Sequence, residues 1–185
     1  MTEWNAEVAE WYAAKYGEYA TNRLAVDAID VRPDAVVVDI GCGTGSALRR
    51  IAPRVPEGRL LGLDPVPRMV AIATERAADD PNGQRIEFRE GSAEELPLDD
   101  GSVDLVLAFD SIDHWKDRAA GLREVTRVLR PTGRVVMVKD GGLPGCSEAG
   151  RRFLGDLEDG DLIVEREERL AEGDVVCTLW VGRPR

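Results

Sequence analysis

Short apolar segments recur along the chain, and helical segments separate them. The first, residues 35–40, is almost continuously apolar and rich in valine, which is typical of a strand buried on both faces of a parallel sheet. Strands that alternate with helices indicate β-α-β units with right-handed crossovers. The sequence therefore predicts an α/β doubly wound fold. The five predicted strands of this part are residues 35–40, 59–63, 85–90, 103–109 and 134–139.

Helical periodicity fills the intervals between these strands, and the end of the chain departs from the alternation. Residues 130–133 (Arg-Pro-Thr-Gly) are expected to stop the helix before the fifth strand. Two β-rich runs, 162–170 and 174–181, flank a short glycine-containing connection, which predicts a hairpin. The predicted helices are residues 6–24, 46–55, 67–79, 118–129 and 147–157.

No repeat or linker divides the chain, so one domain is expected over residues 1–185. Within it we distinguish an N-terminal helical cap (1–34), a core that would bind a cofactor (35–139), and a C-terminal helix and hairpin (140–185).

Composition narrows the class of partner. The chain has 35 acidic and 24 basic residues and a formal net charge of −11, so nucleic acid and anionic membranes are unlikely partners. The short arginine pairs Arg49-Arg50 and Arg151-Arg152 are interpreted as solvated helix faces.

The cysteines and the N-terminus bear on compartment and metal content. Three widely spaced cysteines and one histidine give neither a disulfide framework nor a zinc signature, so no metal site is expected. The first twenty residues lack the apolar stretch of a signal peptide, and no segment approaches membrane-spanning length. A cytoplasmic location is the default expectation.

A glycine-rich segment, Asp39-Ile40-Gly41-Cys42-Gly43-Thr44-Gly45, directly follows the first strand. Ligands of open parallel sheets bind at the carboxyl ends of the strands, and glycines let the backbone approach a ligand closely. The alternative is a tight turn without a ligand. Asp64 ends the second strand about 20 residues later, where nucleotide-binding folds place a ribose-binding carboxylate. Its alternative role is to cap the following helix.

Two classes of ligand compete for this loop. The dinucleotide pattern requires glycine where Ser46 stands, and the Asp39 carboxylate would repel a pyrophosphate. S-adenosylmethionine carries an ammonium, a sulfonium and a ribose. The charge of Asp39 therefore favours the methyl donor over a dinucleotide.

Several motifs occur in one order along more than half of the chain. They are 38–45 (VDIGCGTG), 62–65 (GLDP), 91–97 (GSAEELP), 103–106 (VDLV), 122–125 (LREV) and 128–133 (VLRPTG). On these motifs the sequence resembles the class I S-adenosylmethionine-dependent methyltransferases, in particular the small methyltransferase type 11-like family. The resemblance implies a three-layer α-β-α Rossmann-like methyltransferase fold with a mostly parallel seven-stranded sheet and a C-terminal antiparallel hairpin strand.

The resemblance also implies roles for individual residues around S-adenosylmethionine and its product, S-adenosylhomocysteine. The methionyl end would lie on the glycine loop and the ribose on Asp64. The adenine would pack against Pro65 and Met69, with Ser92 and Ala93 at its edge. Ser92 stands where relatives commonly have aspartate, so the adenine contact departs from the family pattern. The implied cofactor-binding residues are Asp39, Gly41, Cys42, Gly43, Asp64, Pro65, Met69, Ser92, Ala93 and Phe109.

The acceptor side is expected after the fourth strand. His114 matches a histidine that relatives often have there, and it is a candidate general base; its alternative is packing at the loop-helix junction. Asp110 is a candidate for orienting an acceptor or neutralising an amine, or else a solvated strand end. Tyr12, Tyr16 and Tyr19 share one stripe of the first helix, which predicts either a lid or core packing.

The sequence thus favours methyl transfer to a small-molecule acceptor by a monomer or homodimer. Two alternatives stay open: a nucleotide-binding oxidoreductase, and a non-catalytic accessory module that kept a cofactor site.

Overall fold

Strands of one mixed sheet form the centre of the computed structural model, which describes residues 5–143 and 145–185. The spatial order is β3-β2-β1-β4-β5-β7-β6. All neighbours are parallel except the pairs β5/β7 and β6/β7. The strands are β1 (Val36–Ile40), β2 (Arg59–Asp64), β3 (Ile86–Glu90), β4 (Val103–Phe109), β5 (Leu129–Asp140), β6 (Leu162–Glu172) and β7 (Val175–Pro184).

Helices cover both faces of this sheet. Polar side chains cap three of them, because Asn5, Asp117 and Ser147 each accept a hydrogen bond from the backbone N–H three residues later. The α-helices are α1 (Ala6–Tyr16), α2 (Ala20–Asp27), α3 (Ser46–Ile51), α4 (Pro67–Ala78), α5 (Arg118–Val128) and α6 (Glu148–Asp159).

Alternating strand residues feed two apolar layers. Val38 and Val106 face the layer formed with α5 and α6, whereas Val37 and Leu107 face the layer formed with α2 and α3. This period of two explains why the central strands are apolar almost throughout. The expected three-layer α/β fold and its seven-stranded sheet are confirmed.

The strand order reverses between β1 and β4. The chain runs outward from β1 through β2 to β3, and then crosses back to place β4 on the other side of β1. At such a switch point the loops after the two strands diverge and leave a crevice. The glycine loop follows β1, so the fold puts it at this crevice.

Two predicted boundaries are wrong. The predicted helix 6–24 is two helices, because the chain turns at Gly17, whose carbonyl accepts a hydrogen bond from the Thr44 hydroxyl (2.6 Å), and continues through an extended Tyr19. The predicted stop at residues 130–133 lies inside β5. There the pairing with β4 jumps from Val103–Leu129 to Leu105–Arg134, so the proline-containing segment is accommodated as an irregularity of the strand.

The predicted C-terminal hairpin is confirmed. Glu172 pairs with Val175, so the connection is the dipeptide Gly173-Asp174, with Gly173 at φ 57°. In the described part of the chain, no helix has the length and apolarity required to cross a membrane.

Trp180 joins the hairpin to the helical layer, and its replacement tests whether the chain is one folding unit. It is 1% exposed, its ring centroid lies 4.7 Å from that of Phe153, and its indole N–H donates to Glu167 (3.0 Å). We expect Trp180→Ala to lower the free energy of unfolding by about 3–5 kcal/mol in urea titrations.

The control is Trp11→Ala, because Trp11 is 56% exposed. We expect that change to stay within about 0.5 kcal/mol. Circular dichroism and fluorescence should report one coincident transition. A separate, earlier transition of the C-terminal region would contradict the single-domain prediction.

Candidate active site

Two adjoining clefts open at the carboxyl ends of β1, β2 and β4. The main cleft has an empty volume of about 810 Å³ and the side cleft one of about 480 Å³, open solvent at their mouths included. The residues that line both clefts are Tyr12, Gly41, Gly43, Phe109 and Asp110.

Every residue proposed from the sequence for the site lies at these clefts. Asp39 and Cys42 line only the side cleft. The residues that line the main cleft are Gly41, Gly43, Asp64, Pro65, Met69, Ser92, Ala93, Phe109, Asp110 and His114.

The glycine loop is shaped by positive φ angles and by one carbonyl of β2. Gly41, Gly43 and Gly45 have φ values of 72°, 53° and 72°, a region that glycine enters without steric cost. The backbone N–H groups of Gly41 and Cys42 both donate to the Leu63 carbonyl, at 2.8 and 3.0 Å. A Cβ on Gly43 would meet no atom within 4 Å, so this residue faces open space. The loop therefore offers bare backbone to a ligand.

Asp64 links the end of β2 to this loop. Its carboxylate accepts hydrogen bonds from the backbone N–H of Gly43 and of Val66, each at 2.9 Å. Val66, rather than Asp64, occupies the cap position of α4. Burial raises the pKa of Asp64, although these two hydrogen bonds and the nearby His114 oppose the rise. The carboxylate is thus fixed in place at the wall of the main cleft.

Asp39 is a buried carboxyl in the centre of the sheet. It is 2% exposed, and its side chain accepts no hydrogen bond from another residue of 5–143 or 145–185. Burial, and then the neighbouring Asp64 carboxylate, raise the pKa of Asp39 to about 7. A buried carboxyl without a partner costs stability, which is typical of a group kept for binding.

Asp110 stands where β4 ends, with φ at 52° in the left-handed region that non-glycine residues seldom adopt. One of its carboxylate oxygens accepts a hydrogen bond from the backbone N–H of Asp140 (2.6 Å). Burial raises the pKa of Asp110 to about 6, and the Asp140 carboxylate contributes to the rise, while Lys139 opposes it. His114 lies in the next turn, exposed at the wall of the main cleft.

The N-terminal helices close one side of the clefts. Tyr12, Tyr16 and Tyr19 all line the side cleft, so the predicted tyrosine stripe faces the site. Burial raises the pKa of the Tyr12 phenol, and the carboxylate of Asp110 raises it further.

One acidic residue of this segment contacts three arginines. Glu18 forms ion pairs with Arg49, with Arg50 (3.8 Å) and with Arg76 (3.3 Å). The interpretation of Arg49 as a solvated residue is wrong, because its side chain is 14% exposed and pairs with Glu18.

Other residues that line the main cleft were not proposed individually for the site from the sequence, among them Glu94, Trp115 and Lys116. Glu94 accepts a hydrogen bond from the backbone N–H of Asp117 (3.0 Å). Burial opposes ionisation of Glu94, but hydrogen bonds from that amide and from the Ser92 hydroxyl keep its pKa below the usual value. Glu94 directly follows Ala93, so its place beside two predicted residues was the available signal.

The lining residues fit a cofactor that carries positive charge. Among the described residues of the two clefts, four are carboxylic acids (Asp39, Asp64, Glu94 and Asp110) and one is a lysine (Lys116). A pyrophosphate would lie beside these carboxylates without an arginine to bind it. The open backbone at Gly43 and the fixed carboxylate of Asp64 suit the methionyl and ribose groups of S-adenosylmethionine.

The burial of Asp39 has a testable consequence for stability. An unfolded aspartate has a pKa of about 3.9, so between about pH 4 and 7 the folded chain keeps a proton that the unfolded chain releases. Stability therefore falls as the pH rises through this window. We expect Asp39→Asn to be more stable than the parent by about 2–4 kcal/mol at pH 8, because a shift of one unit corresponds to about 1.4 kcal/mol.

Urea titrations of both proteins at several pH values measure the difference. It should shrink as the pH falls toward 4, where both side chains are neutral. Parallel profiles for the two proteins between pH 4 and 8 would show that Asp39 does not titrate in this way.

Comparison with known proteins identifies the family. The profile of the family described as a methyltransferase domain matches residues 38–137. A ubiquinone/menaquinone biosynthesis C-methyltransferase of Geotalea daltonii is 33% identical over 118 residues, which cover 63% of this chain and 50% of that protein. An uncharacterized methyltransferase of Mycobacterium bovis is 39% identical over 133 residues, which cover 70% of this chain and 50% of that protein. The match spans about half the length of each of these two relatives.

Solved structures show the same fold. A SAM-dependent methyltransferase from Aquifex aeolicus superimposes with a TM-score of 0.80 at 18% identity, over 99% of this chain and 100% of that one. The matched family region contains the glycine loop, Asp64 and the strand that ends at Asp110. The chain therefore belongs to the class I S-adenosylmethionine-dependent methyltransferases.

Proposed function

We propose that this protein transfers the methyl group of S-adenosylmethionine to a small-molecule acceptor by in-line displacement. The observation that carries the proposal is the position of Asp39 and Asp64, two buried carboxyls that flank a bare glycine loop. S-adenosylmethionine, when bound, supplies a methyl group already activated by its sulfonium. The task left to the protein is to bind, align and exclude water.

On the donor side, each wall of the clefts has a proposed role. Asp64 would accept hydrogen bonds from the ribose hydroxyls, and its two backbone contacts hold it ready for them. Asp39 and the glycine loop would receive the methionyl end, with Cys42 beside them. Pro65, Met69, Ala93 and Phe109 would supply the apolar walls.

Ser92 is the residue at which the sequence departs from the family pattern. Its hydroxyl donates to the Glu94 carboxylate, which leaves the lone pairs of the hydroxyl oxygen available. This oxygen would accept a hydrogen bond from the adenine amino group, where relatives use aspartate. The polarity of the adenine contact would thus be kept by a shorter side chain.

The acceptor side would lie where Asp110 and His114 meet the main cleft. Asp110 would orient the acceptor, and His114 is the candidate general base for a hydroxyl or thiol acceptor. The tyrosines of the N-terminal helices would exclude water from the reaction. The net charge of −11 favours a small molecule over RNA or DNA.

Calorimetry tests the donor assignment. The protein should bind S-adenosylmethionine and S-adenosylhomocysteine, and neither NAD nor NADP. We expect Asp64→Ala to weaken S-adenosylhomocysteine binding by about 1.5–3 kcal/mol, because a charged hydrogen-bond acceptor of the ribose is lost.

The matched control is Asp80→Ala. Asp80 accepts a hydrogen bond from the backbone N–H two residues later, as Asp64 does, but it does not line either cleft. Unchanged affinity of the Asp64 variant would reduce this residue to a structural contact. Binding of a dinucleotide, with no binding of S-adenosylmethionine or S-adenosylhomocysteine, would overturn the proposed function.

A further inference from the structure

We propose that the methyl acceptor is a small organic cation, and that the Asp110 carboxylate together with the aromatic wall of the main cleft anchors its ammonium group. The inference rests on the proposed function and adds a substrate class to it. It concerns the group that anchors the acceptor, whichever atom of the acceptor takes the methyl.

The residues that line the two clefts carry an excess of negative charge. Four carboxylic acids and one lysine line them, and arginine is absent from the described lining residues. S-adenosylmethionine carries one net positive charge, which offsets only one of these carboxylates. A negatively charged acceptor would enter a site that is still acidic, whereas a cation would be attracted to it.

One of the four cleft carboxylates remains for the acceptor. Asp39 and Asp64 flank the glycine loop and belong to the donor in the proposed function. Glu94 is engaged by the amide of Asp117 and the hydroxyl of Ser92. Asp110, which lines both clefts at the end of β4, is the remaining acid.

The Asp110 side chain is held in place by its surroundings. Its backbone has φ at 52°, and its carboxylate is held by the backbone N–H of Asp140 (2.6 Å). The Asp140 carboxylate in turn accepts a hydrogen bond from the Thr21 hydroxyl (3.1 Å). A carboxylate fixed in this way binds a ligand without first losing side-chain freedom.

Asp110 has a neighbouring cation, Lys139. The Lys139 ammonium opposes the raised pKa of Asp110, so it lies within electrostatic reach. Its ion pair, however, is with Asp113, on the segment that follows β4. The charge of Lys139 is therefore already neutralised by another partner.

Aromatic side chains form part of the wall of the main cleft. Tyr12, Phe109 and Trp115 line the same cleft as Asp110. Aromatic faces attract ammonium groups, and a carboxylate combined with such faces is a typical recognition site for organic cations. Carboxylate and phosphate groups gain nothing from these faces.

Matched probes test the inference in the presence of saturating S-adenosylhomocysteine at pH 7.5. The probes are 2-phenylethylamine, 3-phenylpropionate and the neutral 2-phenylethanol, with dissociation constants measured by ligand-observed NMR titration. We expect the amine to bind at least about tenfold more tightly than the carboxylate, the size of a charged hydrogen bond, with the alcohol between them.

Asp110→Asn isolates the charge. Asparagine tolerates the left-handed region and keeps an oxygen that accepts from the Asp140 amide, so the fold around it is preserved. We expect this variant to bind the amine and the carboxylate within about threefold of each other. The control is Asp161→Asn, because Asp161 also has a positive φ (58°) but does not line either cleft. This control should keep the tenfold preference.

The outcomes separate the two proposals. Absence of S-adenosylhomocysteine binding, seen before any probe is added, overturns the proposed function and this inference with it. Binding of S-adenosylhomocysteine without a preference for the amine, or with no measurable binding of the amine, overturns only this inference. An amine preference that persists in Asp110→Asn also overturns the assignment to Asp110.

Discussion

The Leu63 carbonyl accepts two hydrogen bonds, from Gly41 (2.8 Å) and from Cys42 (3.0 Å), and so ties the end of β2 to the glycine loop after β1. A second contact fixes the other side, because the buried hydroxyl of Ser111 donates to the Ile40 carbonyl (2.6 Å). Together they hold the ends of β2, β1 and β4 around the switch point of the sheet. Because the loop is held by these contacts, its bare glycines can face a ligand.

This arrangement brings carboxyls into places where a stable fold would avoid them. Asp39 is buried in the central strand, where no residue of the described part of the chain donates a hydrogen bond to its carboxyl, and the Asp64 carboxylate raises its pKa further. Asp110 adopts a backbone conformation that costs most residues on the order of 1 kcal/mol or more. Departures from local rules cluster at functional sites, because folding alone gives no reason to keep them. Asp39 and Asp110, which depart from these rules, both line the clefts.

The sheet, and the position of the proposed donor-side residues at the clefts, could be predicted from the sequence, since both depend on local patterns. The apolar runs, the glycine loop and the spacing to Asp64 are read from neighbouring residues along the chain. The break between α1 and α2 was missed, because it depends on a hydrogen bond from Thr44, which is remote in sequence. Lys116 was missed for a similar reason, since only the packing of the segment after β4 turns it toward the main cleft.

The acidity of the clefts depends on where the nearby arginines are directed. Arg49 and Arg76 belong to helices beside the glycine loop, and free guanidinium groups there would suit a phosphate ligand. Both pair with Glu18 instead, in the turn that links α1 to α2. Arg68, at the start of α4, pairs with Glu10 of α1 and with Glu75 of its own helix.

The N-terminal helices therefore do more than cover the site with tyrosines. Glu10 of α1 and Glu18 of the following turn pair with arginines of α3 and α4, while Tyr12 lies near the Asp110 carboxylate and Tyr19 near that of Asp140. Under the proposed function, the pairing of these arginines leaves the acidity of the clefts uncompensated, which favours ligands with positive charge. The charge pattern of the N-terminal segment would then belong to the binding site as much as the glycine loop does.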